Sequence, residues 1–189
     1  MSQTVKILVI GPTQSGKSAL SNFIAERQDA IGQNYIPTNG VRILEFEKEG
    51  PSNPRKPGQT SVLVELWDVS GDSKYSRCWP AIQKGAQGII LVFNPDNPKH
   101  QNEIESWVES FPKKIGIPAN QCTCFAHHPS GRPIKGKTGP PKGAPTLNPS
   151  DTSIESGNDT IHPAFDKFFN QLMQQIYKKE EQLENNIME

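Results

Sequence analysis

At 189 residues with 33% hydrophobic side chains, the chain is sized for one domain with a single core. Lys and Arg number 20 and so do Asp and Glu, so no net charge points to nucleic acid, and none is expected as a partner. Three cysteines, Cys78, Cys122 and Cys124, do not make a disulfide framework, and the first residues hold no apolar signal core, so a cytoplasmic, reducing setting is expected.

Val5–Ile10 is mostly apolar and reads as the first strand. It runs into Gly11-Pro-Thr13-Gln14-Ser15-Gly16-Lys17-Ser18, the pattern GxxxxGKS of a phosphate-binding loop. The strand-to-helix context suits the motif. Backbone N–H groups from Gly11 to Ala19 would face phosphate oxygens, helped by the positive end of the helix that follows. Lys17 is assigned to the β- and γ-phosphates, and the Ser18 hydroxyl to Mg²⁺.

Ser18–Arg27 reads as the first helix, with Leu20, Phe23 and Ile24 inward. The polar stretch Asp29–Asn39 is a loop carrying Tyr35-Ile-Pro37-Thr38. Val41–Phe46 and Ser61–Trp67 alternate as two adjacent strands, joined by a long Gly/Pro-rich hairpin loop over 47–60. Trp67-Asp68-Val-Ser-Gly71 closes the second of them. Gly88–Phe93 is continuously apolar, as a central parallel strand requires.

Ile104, Trp107, Val108 and Phe111 recur at helical spacing, and Gln121–Ala126 is the next strand. Cys122 and Cys124 lie in it with a one-residue gap, which is not a metal-ligand spacing. Residues 129–149 are rich in Pro, Gly and Lys and read as a mobile loop. Phe165, Phe168, Phe169, Leu172, Met173 and Ile176 form the apolar stripe of a final helix, with Pro163 expected in its first turn. The charged tail 179–189 is expected to fray. It has no terminal cysteine for a prenyl group, and Ser2 replaces the glycine of a myristoylation signal, so no lipid anchor is expected. The chain thus reads as one domain over 1–178: an α/β fold with a doubly wound, mixed, mostly parallel sheet flanked by helices.

Two further pieces fit a nucleotide site. A carboxylate at a strand end, Asp68, can hold Mg²⁺ through water. The Thr38 hydroxyl, on a loop, can complete the metal shell when a γ-phosphate is present, and the Gly71 N–H can meet that phosphate. With the phosphate loop, Tyr35-x-Pro37-Thr38 and Asp68-x-x-Gly71 in this order, the chain resembles the Ras superfamily of small GTPases. The resemblance implies Lys17 as the phosphate lysine, Ser18 and Thr38 as Mg²⁺ hydroxyls, Asp68 as the outer metal carboxylate, and GTP or GDP as ligand. Pro37–Phe46, Cys78-Trp79-Pro80 and Phe125-Ala126-His127-His128 are similar to Rab-like GTPases of intraflagellar transport complex B. That resemblance implies a cilium or flagellum, coiled-coil partners within the complex, and a monomer inside a hetero-oligomer.

Departures from the family pattern matter as much. Asp72 follows Gly71 where efficient GTPases carry the glutamine that orients water, so no catalytic residue is assigned and hydrolysis is expected to be slow. Thr13 and Gln14 stand where Ras has glycine. The guanine motif Asn-Lys-x-Asp is matched by His127-His128-Pro129-Ser130, which lacks the carboxylate that selects guanine. His127 is a candidate for a base edge and His128 for stacking. Ser150 or Thr152 are candidates for the late Ser-Ala-Lys loop by position alone. Trp79 is either a partner-binding anchor or core. The expectation is an atypical GTP-binding subunit. The alternatives are a true switch completed by an activating protein, or a small P-loop kinase using Arg132–Lys142 as a lid.

Overall fold

A computed structural model describes residues 3–27, 36–53, 58, 61–129 and 138–188. Six strands, β1 (Gln3–Ile10), β2 (Val41–Glu49), β3 (Ser61–Val69), β4 (Gly88–Phe93), β5 (Cys122–His127) and β6 (Ser150–Thr152), form one sheet in the order β2-β3-β1-β4-β5-β6. Among the described strands β2 alone runs antiparallel, against β3, with Val41 opposite Val69 and Glu49 opposite Ser61. The helices are α1 (Lys17–Ile24), α2 (Trp79–Gln83), α3 (Pro98–Val108) and α4 (Gly157–Met188).

The period-two alternation of β1 builds two cores. Val5, Ile7 and Val9 face α1 and α4, meeting Leu20, Phe23, Phe165, Phe169 and Leu172. Leu8 and Ile10 face the other side, with Ile82, Trp107 and Phe111. All six residues of β4 are buried, as a strand covered on both faces demands. β2, at the edge, alternates between exposed and half-buried residues. Among the described residues, no helix is long and apolar enough to cross a membrane.

Three expectations change. The last helix starts at Gly157, and Pro163 lies inside it rather than in its first turn. Gly157 lets the helix start close to α1, since a Cβ there would stand 2.3 Å from Phe23 Cζ. The tail is helical to Met188 instead of frayed after Tyr177. Its residues are good helix formers, and Gln3 Nε2 on β1 donates to Glu180 Oε1 at 3.1 Å. The stretch 138–149 packs rather than floats: Ala144 is buried against the α3 core, and the Thr138 amide donates to Asp151 Oδ2 at 3.0 Å. β6 is three residues long, too short for an alternation to betray.

Candidate nucleotide site

The loop after β1 lies flush on the end of β4. Gly11 has φ +142°, and a Cβ there would stand 2.0 Å from the Val92 carbonyl oxygen, so only glycine fits. Gln14 holds a left-handed φ of 59° despite its side chain, which, like that of Thr13, is exposed. Gly16, at φ +88°, turns the chain into α1, and its carbonyl accepts the first helical bond from Leu20 N at 2.9 Å. Lys17 is buried; its Nζ donates to the Pro12 carbonyl at 2.5 Å and lies 3.4 Å from Ser15 Oγ. Burial lowers its pKa to about 8, with the nearby Asp68 charge opposing the shift.

Ser18, Thr38 and Asp68 come together from α1, the loop before β2, and β3. Ser18 Oγ is 2.9 Å from Thr38 Oγ1, which donates to Asp68 Oδ2 at 3.3 Å. Asp68 is fully buried, and its Oδ1 has no hydrogen-bond partner among the described residues. Burial pushes the carboxyl above the usual range, opposed by the Ser18 hydrogen bond and by Lys17, Arg42 and Thr38. Two hydroxyls and a buried carboxylate with a spare oxygen form an all-oxygen donor set, which suits a hard cation such as Mg²⁺.

Gly71 follows β3 and closes on the phosphate loop, where a Cβ would stand 2.4 Å from Thr13 N and 2.6 Å from Pro12 C. Its neighbour Asp72 is turned toward Lys74, accepting from Lys74 N at 3.0 Å and pairing with Nζ at 3.0 Å. Those contacts, the backbone hydrogen bond first, hold its carboxyl below the usual range. Tyr75 Oη donates to Asn39 Oδ1 at 3.1 Å, tying the segment after Gly71 to the one after Thr38. Trp79 is half-buried on Trp107 and Phe111, with ring centroids 5.3 and 5.0 Å away, which places it on the core side of the two expectations.

At the end of β5, His127 is fully buried and stacked beneath the phosphate loop. A Cβ on Gly16 would stand 2.3 Å from His127 Cδ2. Its Nδ1 lies 3.1 Å from Thr152 Oγ1, and burial lowers its pKa to about 4, so the ring is neutral. His128 turns the other way, with Nδ1 3.2 Å from Asp96 Oδ2 and Nε2 3.6 Å from Asp151 Oδ1. Tyr35 and Ser130 lie outside the described residues. The structure thus gathers Gly11–Ala19, Thr38, Asp68 and Gly71 in one place and sets His127 against it. Sequence reasoning missed Arg42, whose only signal was a basic residue in an otherwise strand-like run. It also missed Asp151, which carried no signal because β6 was not recognised.

A phosphate loop between β1 and α1, hydroxyls and a carboxylate converging beside it, and a sheet with one antiparallel edge strand define a small-GTPase-type domain. In agreement, the family model of Roc, the Ras of Complex domain of DAPkinase, matches residues 6–126. The chain is 40% identical over 187 residues to an intraflagellar transport protein 22 homolog of Danio rerio, covering 97% of this chain and 98% of that one. The Homo sapiens homolog is 36% identical over 190 residues, with 97% of each chain covered. A GTP-bound crystal structure of IFT22/74/81 from T. brucei superposes with a TM-score of 0.74 at 32% identity, covering 94% of this chain and 99% of that one. A GDP-bound T. brucei IFT22 structure gives a TM-score of 0.68 at 31% identity over 92% of this chain and 98% of that one. The chain belongs to the intraflagellar transport protein 22 family.

Proposed function

We propose that this chain binds GTP and GDP with Mg²⁺ as a regulatory or structural subunit of intraflagellar transport, and that it hydrolyses GTP slowly. The carrying observation is the convergence of Ser18, Thr38 and Asp68 beside a phosphate loop that Gly71 touches. The Ser18 and Thr38 hydroxyls would hold Mg²⁺ directly and Asp68 through water, and the metal would neutralise phosphate charge. Lys17 gives its charge to the β- and γ-phosphates, the loop amides bind their oxygens, and the Gly71 N–H meets the γ-phosphate. His127, fully buried against Gly16, braces the loop rather than reaching a base edge, while Tyr35 is assigned to the nucleotide and His128 to stacking on the base.

Slow hydrolysis is the reading that Asp72 supports. A carboxylate engaged by Lys74 cannot donate a hydrogen bond to position water as a glutamine does. The T. brucei relative seen with IFT74 and IFT81 supports other transport-complex subunits as partners, and the family name supports a cilium or flagellum. The proposed function also includes coiled-coil subunits of complex B as those partners, a monomer among them, and residence in the cytoplasm. The test is the nucleotide that copurifies with the protein, identified by chromatography, followed by single-turnover hydrolysis. Bound GTP with slow turnover, raised by Asp72→Gln, is expected. Bound ATP sinks the guanine reading, and fast turnover by the wild type sinks the slow one.

The tether from Tyr75 to Asn39 favours a second reading, a switch completed in trans, because it couples the two segments that a γ-phosphate would order. A cell extract that accelerates hydrolysis, and does so only with Lys17 intact, would select it.

A further inference from the structure

One cation at the metal cluster has no part in the function above. Arg42 is the second residue of β2, and its cross-strand partner on β3 is Asp68. Its Nη2 lies 3.4 Å from Asp68 Oδ2 and donates to the Ser18 carbonyl at 3.3 Å. Arg42 therefore touches two of the three residues assigned to Mg²⁺. Its side chain is 39% exposed while that of Asp68 is 0%, so the guanidinium closes the cluster from the sheet edge.

Two consequences follow from electrostatics. A carboxylate at 0% exposure needs a counter-charge, and Arg42 supplies one whether or not metal is bound. A fixed positive charge beside Asp68 Oδ2 also repels an incoming divalent ion and offsets the carboxylate charge that would attract it to Oδ1. Lys17 also acts on this carboxylate through space, but its Nζ is held by the Pro12 carbonyl and lies near Ser15 Oγ rather than on Asp68.

We infer that Arg42 is a built-in counter-ion for Asp68 that competes with Mg²⁺, keeping the cluster assembled without metal and weakening the metal's hold. The inference rests on the Mg²⁺·nucleotide reading of this site. Arg42 is a positioning residue here: it acts on the metal through Asp68.

The test uses the full chain loaded with a fluorescent GDP analogue. The rate of nucleotide loss is followed at pH 8 over a series of Mg²⁺ concentrations for wild type, R42Q and R42K. R42Q should lower the Mg²⁺ concentration that half-maximally slows release by about tenfold, because a nearby like charge is gone. R42K restores the charge and should return the value toward wild type. In a second readout without nucleotide, R42Q should melt lower than wild type by roughly 2–4 °C, since Asp68 loses its partner. R42M, which keeps the packed stem, gives the same comparison if R42Q does not fold. An unchanged Mg²⁺ midpoint overturns the inference, and so does a higher one, which would make Arg42 a support for the metal. A wild type that retains no nucleotide even at saturating Mg²⁺ overturns the underlying reading instead.

Discussion

Gly16→Ala would place a methyl group 2.3 Å from His127 Cδ2 and 3.0 Å from its Nε2. Neither side has an easy escape. The His127 ring is fully buried and held through Nδ1 at 3.1 Å from Thr152 Oγ1, while Gly16 sits where the loop must turn into α1. The backbone adds its own cost, because φ is +88° and a side chain in the left-handed region loses about 1–2 kcal/mol. Overpacking a filled site costs about 1–3 kcal/mol more. The combined loss of about 2–5 kcal/mol is a large share of a domain's usual stability of about 5–15 kcal/mol. The two contributions separate in a double-mutant cycle. With His127→Ala in place, Gly16→Ala should keep only the backbone cost, so the cycle should return a coupling of about 1–3 kcal/mol. Equilibrium unfolding in urea measures all four proteins, with equal slopes required for the comparison. Additivity within about 0.5 kcal/mol would refute the contact between β5 and the phosphate loop.

Nucleotide affinity should fall as pH rises above about 8, because burial sets Lys17 there and the phosphates need its proton. The loss should approach about tenfold per pH unit, read by fluorescence titration between pH 7 and 9, and a flat profile would contradict it. The sign for stability is opposite: the folded value lies below the ordinary 10.5, so the cost of burying the charge is full below pH 8 and is relieved as pH rises from there. Gly88→Ala would drive a methyl to 2.6 Å from Leu172 Cδ2 and 3.2 Å from Phe168 Cζ, and should cost about 1–3 kcal/mol in urea unfolding by pushing α4 off β4. Trp79→Ala should lower stability by about 2–4 kcal/mol through lost packing on Trp107 and Phe111, and an unchanged midpoint would return Trp79 to the surface.

The phosphate end of the site was legible in the sequence because its constraints are local. Gly11, Gly16, Lys17 and Ser18 lie within eight residues of one another, and the strand before them and the helix after them carry their own periodicity. Thr38 and Asp68 were found through short motifs whose spacing the fold preserves. What escaped depends on contacts distant in sequence. Arg42 gains meaning only when β2 pairs with β3 and sets it opposite Asp68. Asp151 needs β6 to form and Thr138 to return from 13 residues away. Pro163 misled because a proline marks where a helix tolerates a missing donor, and here the start of the helix is set instead by the close fit of Gly157 on Phe23.

His127 joins the two ends of the site and shows why they need not vary together. The sequence pattern matches it to the base-recognition asparagine of the family motif, yet its ring meets Gly16 and Thr152. The ring is neutral above about pH 4, so this packing does not change across the physiological range. A bulky neutral side chain packed against Gly16 braces the loop between β1 and α1. His128, one residue on, alternates to the opposite side and is engaged by Asp96 and Asp151, two carboxylates from other loops and strands. Under the proposed function, a change at His128 or its carboxylate partners would therefore act on the base end while the contact of His127 with Gly16 stays in place.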